Sequence, residues 1–103
     1  MSDRLPSGLL VSALLRRVND SGGLGVVRAR GDAQGGGVLL LLGDRALERG
    51  IGPDGGTALI ESRRGEDLDD YWRRRRQRDP DLWVVELDSP LAERFAAETL
   101  VPN

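Results

Sequence analysis

Five consecutive apolar residues, Val38-Leu39-Leu40-Leu41-Leu42, constrain the fold of this chain more than any other stretch. A strand with one wet face alternates apolar and polar side chains. This run has no polar side, so as a strand it is central and needs cover on both faces. Before it, Leu24 to Arg30 follows period two, with Val27 and Ala29 on one face and Val26, Arg28 and Arg30 on the other, which predicts a half-exposed strand. Gly31-Asp32-Ala33-Gln34-Gly35-Gly36 supplies turn residues between the two, and together they read as a hairpin.

Cover for the apolar run comes from the rest of the chain. Leu10, Leu14 and Val18 repeat at helical spacing, with Val11 and Leu15 widening the stripe, so residues 8–20 form a helix that Ser7 is placed to cap. Asn19-Asp20-Ser21-Gly22-Gly23 ends it. Arg45 to Arg49 fits a short strand or a helical turn, and a strand is favoured. After the loop Gly50 to Gly56, Thr57 to Ser62 reads as a strand. Gly65 opens a helix to about Arg78, stopped where Asp79 precedes Pro80. Leu82 to Leu87 is a further strand, and Ser89-Pro90 starts a short last helix with Leu91 and Phe95 on its apolar side. The expectation is a single α+β domain over residues 1–103. Its mainly antiparallel sheet of four to five strands packs against two to three helices, in the order α-β-β-(β)-β-α-β-α. The unit of Thr57–Ser62, helix and Leu82–Leu87 makes a mixed sheet the alternative, with the last strand parallel to its partner.

Composition narrows the chemistry. The chain has 103 residues with no Cys, no His and no Lys, so all 15 positive charges are Arg and the net charge is −2. Missing thiol, imidazole and amine remove the disulfide framework, the usual zinc sites, the commonest general acid/base and the Schiff-base nucleophile. Catalysis would rest on carboxylates, hydroxyls, Tyr71 and Arg, and the expectation is a non-enzyme without a cofactor. The mainly apolar run of seven residues from Leu9 to Leu15 falls far short of the ~20 that span a bilayer, and the charge of Arg16-Arg17 follows it, unlike a secretory signal. A cytoplasmic protein with no membrane contact is expected.

The sharpest local feature is residues 66–78, with four acids in the first turns and five arginines in the last. Trp72, Arg73, Arg74, Arg76 and Arg78 are candidates for gripping phosphates or stacking on bases. Acids first and bases last also suit the helix dipole, and Asp69–Arg73 and Asp70–Arg74 are favourable i,i+4 pairs. Ser21 to Gly25 has phosphate-loop composition, but it follows a helix and precedes a strand, the reverse of a phosphate loop. Asp79 and Asp81, with Glu86 and Asp88, lack the spacing of a calcium loop, so no metal is expected. Capping, or salt bridges to Arg16, Arg17 or Arg30, suits Asp79 and Asp81 better.

Val11-Ser12-Ala13-Leu14-Leu15-Arg16-Arg17, Arg30-Gly31-Asp32 with its glycine-rich turn, and Asp79-Pro80-Asp81-Leu82-Trp83-Val84-Val85-Glu86 stand in a distinctive order. In these, over most of its length, the chain resembles a family of short bacterial proteins classed as a domain of unknown function. The resemblance implies a bacterial, cytoplasmic setting and assigns no catalytic residue. The functional expectation is therefore a non-catalytic protein-interaction module or homodimer, in which a partner covers a second sheet face or the first helix. The alternative is anion or nucleic-acid binding through the helix of residues 66–78.

Overall fold

A computed structural model describes residues 5–101. It contains α1 (Ser7–Asp20), β1 (Leu24–Ala29), β2 (Val38–Leu42), β3 (Arg45–Ile51), β4 (Thr57–Arg64), α2 (Leu68–Arg78), β5 (Trp83–Asp88) and α3 (Ala92–Leu100). This is the expected α+β order, and the region around Arg45 is a strand. The five strands form one sheet in the order β1-β5-β2-β3-β4. β5 pairs antiparallel with β1 and parallel with β2, and the remaining neighbours are antiparallel. The sheet is therefore mixed.

β2 lies at the centre, and both of its faces are covered within one chain. Val38 and Leu40 join Trp83, Val85 and Leu87 under α1 and α3, which contribute Leu10, Val11, Leu14, Val18, Ala92, Ala96 and Leu100. Leu39 and Leu41 join Val84, Ala46 and Leu82 on the other face, under Leu68 and Trp72 of α2. Alternation along β2 and β5 sends successive side chains into the two cores. Leu39 and Leu41 are only 0% and 4% exposed. The expected need for a partner over the second face is thus corrected: one short helix with a leucine and a tryptophan suffices.

Four further expectations change. β1 and β2 do not form a hairpin, because β5 lies between them. With strands about 4.8 Å apart, the glycine-rich loop must span about 10 Å across the end of β5. The parallel partner of β5 is β2, not the strand that precedes α2. Val27 and Ala29 do not share a face: the register with β5 slips between them, so Val27 packs under α1 while Ala29 joins the α2 side. One extra residue at Arg28 flips the alternation, as a β-bulge does. Finally, the buried stripe of α3 is Ala92, Ala96 and Leu100, while Leu91 is exposed and Phe95 half-buried. Ser89 lies three residues before the first helical residue and is not its cap: its hydroxyl accepts the N–H of Leu91 at 3.1 Å in the turn that leads into the helix. Among the described residues, no helix is long and apolar enough to cross a membrane.

Candidate interaction site at the first strand

The three marker segments of the sequence meet at one end of the sheet. α1 begins against the loop between β1 and β2, where the N–H groups of Ser7 and Gly8 donate to the carbonyls of Gln34 at 3.2 Å and Ala33 at 2.9 Å. Two of the N–H groups that a helix start leaves without partners are thereby satisfied. Ser7 is not the side-chain cap that its position predicts. It is the first helical residue, and its buried hydroxyl donates to the Gly36 carbonyl. From the other side, the Asp32 N–H donates to the Asp81 carbonyl at 3.0 Å, and the Trp83 indole donates to the Asp32 carbonyl at 2.8 Å. A Cβ at Gly31 or Gly36 would collide with that Asp81 carbonyl, so glycine is required at both. The Asp32 carboxylate accepts the N–H groups of Gln34 and Gly35, and the Asp79 carboxylate accepts that of Asp81 at 3.1 Å. Both acids hold their own turns.

Beside this junction runs a groove of about 430 Å³. Leu9, Ser12 and Leu15 of α1 form one wall, Val27 and Arg30 the other, Ala33 and Gln34 close one end, and Trp83 lies beneath. The Arg30 guanidinium stands 5.5 Å from the Trp83 ring centre. Leu9 lies off the buried stripe of α1 and is 54% exposed.

The groove follows β1, an edge strand with a neighbour on one side only. Val26 and Leu24 pair with Glu86 and Asp88, so they lie on the α2 side of the sheet, but α2 does not reach them. They are 42% and 59% exposed. Leu91 and Pro90 extend this apolar strip around a second shallow groove that Leu24 also lines. The opposite edge differs. β4 carries Glu61, Arg63 and Arg64, with ion pairs from Glu61 to Arg45 and Arg64, each at 2.8 Å, and from Arg63 to Asp67. Charges and ion pairs of this kind blunt a sheet edge, whereas apolar side chains beside unpaired backbone leave it adhesive. The one charged side chain within β1, Arg28, is neutralised by Glu86 at 2.6 Å.

The arginines of α2 divide between tasks. Arg75 donates to both oxygens of Glu48 on β3, at 2.7 and 2.9 Å, and to the Tyr71 hydroxyl at 2.8 Å. Burial is the strongest single influence and works against the charge on Glu48, but the Arg75 hydrogen bonds, the Ser62 hydroxyl and the Arg75 charge together outweigh it and hold the carboxyl below its ordinary value. Arg76 donates to the Arg30 carbonyl at 2.7 Å, tying α2 to the end of β1. Trp72 is buried and gives its indole N–H to Asp69. The predicted cluster Trp72, Arg73, Arg74, Arg76 and Arg78 is therefore not one surface: Trp72 is core, Arg76 joins elements, and Arg73, Arg74 and Arg78 are exposed. Of the salt-bridge candidates, Arg17 pairs with Glu98 at 2.6 Å. None of the nine ion pairs among the described residues involves Arg16, Arg30, Asp79 or Asp81. Of the capping or pairing expected for Asp79 and Asp81, no ion pair forms among the described residues: the Asp79 carboxylate accepts the Asp81 N–H and the Asp81 carbonyl accepts the Asp32 N–H.

Sequence reasoning did not find the β1 edge or the groove, because the hairpin reading placed β2 on that side of β1. Leu9, apolar and outside the helical stripe, was the available signal. Among proteins of known sequence, the family described as "Protein of unknown function (DUF1491)" matches residues 5–97. A crystal structure of a DUF1491 family protein from Caulobacter crescentus is 32% identical, with a TM-score of 0.77 over 89% of this chain and 94% of that one. An NMR structure of a DUF1491 family protein from the same organism is 31% identical, with a TM-score of 0.71 over 88% of this chain and 91% of that one. The solution structure of protein Atu0922 from A. tumefaciens is 28% identical, with a TM-score of 0.64 over 96% of this chain and 93% of that one. No curated protein matches.

Proposed function

This chain belongs to the DUF1491 family of proteins of unknown function, and from its own surface we propose that it is a non-catalytic protein-interaction module that docks another chain on the β1 edge. One observation carries this reading: of the two sheet edges, β4 is fenced by ion pairs, while β1 presents Leu24 and Val26 to solvent beside an apolar groove. Adding a strand to such an edge supplies main-chain hydrogen bonds for affinity, and the adjoining groove selects side chains. The groups at the neighbouring junction support a binding role over a chemical one, since Ser7, Asp32, Asp79 and Trp83 all spend their polar atoms on holding the loop.

The test is site-specific photo-crosslinking in the native host. A photoreactive residue at Val26 should capture a protein that the same residue at Arg63 on β4 does not, and Leu9→Asp in the adjoining groove should abolish the adduct. Equal yields at the two edges, or none at Val26, would remove the proposal.

A further inference from the structure

Resting on that reading, we infer that the β1 edge receives an extended acidic segment of a different protein. The N-terminal end of the edge is already occupied, because the Asn19 side chain accepts the Gly25 N–H at 3.0 Å. An incoming strand is thereby confined to Val26 through Arg30. That half is where positive charge gathers. Arg28 and Arg73 both stand over the Trp72 ring, at 5.6 and 5.2 Å, and Arg76 reaches the Arg30 carbonyl. Of the nearby acids, Glu86 is paired with Arg28, and Asp69 turns to the Trp72 indole and forms no ion pair with Arg73 among the described residues. Arg30, Arg73 and Arg76 have no ion pair among the described residues. Carboxylates on a docked strand meet uncompensated guanidinium there, and a basic strand is repelled.

The same confinement argues against a second copy of this chain. The β1 segment of a second copy carries no carboxylate between Val26 and Arg30 to meet Arg30 and Arg73, and brings two more arginines instead. Side chains of an added strand alternate between faces, so residues facing α2 meet Arg28 and Arg73 over the Trp72 ring, while those between them enter the groove against Leu9, Leu15 and Val27, where Arg30 stands over Trp83. The segment is therefore one in which apolar and acidic residues alternate.

Two synthetic ten-residue peptides test this on the full-length protein, one alternating valine and glutamate and one alternating valine and lysine. Backbone-amide NMR shifts locate binding, and fluorescence anisotropy gives affinity at two salt concentrations. The glutamate peptide should bind more tightly, move the amides of Val26 to Arg30 and weaken with salt. The double variant Arg30→Glu/Arg73→Glu should lose about tenfold in affinity for it and come to favour the lysine peptide. Equal binding of both peptides, shifts confined to other residues, or displacement of the peptide by a short single-stranded oligonucleotide overturns the acidic-segment inference. If crosslinking at Val26 still captures a protein in those cases, β1 docking stands without it.

Discussion

Ser7 sets where the first helix starts and what holds the β1–β2 loop. Its hydroxyl reaches the Gly36 carbonyl, and both groups lie out of contact with water. Ser7→Ala leaves that carbonyl without its donor, so urea denaturation should register a loss of about 1–3 kcal/mol. Gly36→Ala should cost more, because the added methyl meets backbone that cannot turn aside. The half-buried pair of Glu48 and Arg75 behaves differently, since it responds to pH. The Glu48 carboxyl is held below its ordinary value of 4.5, so its contribution is complete above that pH and fades as pH falls below it. Glu48→Gln should therefore destabilise by about 1–3 kcal/mol at neutral pH. The gap to wild type should narrow below pH 4.5, where the natural side chain also takes up a proton. A gap independent of pH would contradict this account of the pair.

Among the elements, α1 was legible and β1 was not, for physical reasons. The buried apolar residues of α1 are the Leu10, Val11, Leu14 and Val18 that helical periodicity selects. Equilibrium unfolding should separate the two kinds of leucine on this helix. Leu14→Ala empties a fully buried site and should cost about 2–5 kcal/mol, while Leu9→Ala should stay within about 0.5 kcal/mol of wild type. β1 obeys period two as far as Val27, and there the bulge reverses the faces, which no local pattern announces. Its pairing with β5 joins residues some sixty positions apart, and sequence proximity to β2 pointed the wrong way. α2 shows a third case. Its charge order was plain in the sequence, but only the fold reveals that Arg75 and Arg76 reach β3 and β1 while Arg73, Arg74 and Arg78 remain at the surface.

The whole molecule is a sheet between two helical layers, and the apolar β2 run with which the fold begins is sealed from both sides. Among the described residues, apolar side chains left in contact with solvent gather at the β1 margin, with Leu9, Leu24, Val26 and Leu91, while Ile51 stands exposed at the end of β3. The central claim is that this margin, and not the arginine face of α2, is where the protein meets its partner. The most direct measurement compares three proteins, wild type, Val26→Asp and Arg74→Glu/Arg78→Glu, for their affinity toward the partner captured at β1. The account predicts that Val26→Asp weakens binding by at least about tenfold, equivalent to ~1.4 kcal/mol, while the helix variant stays near wild type. Undiminished binding by Val26→Asp together with loss in the helix variant would contradict it.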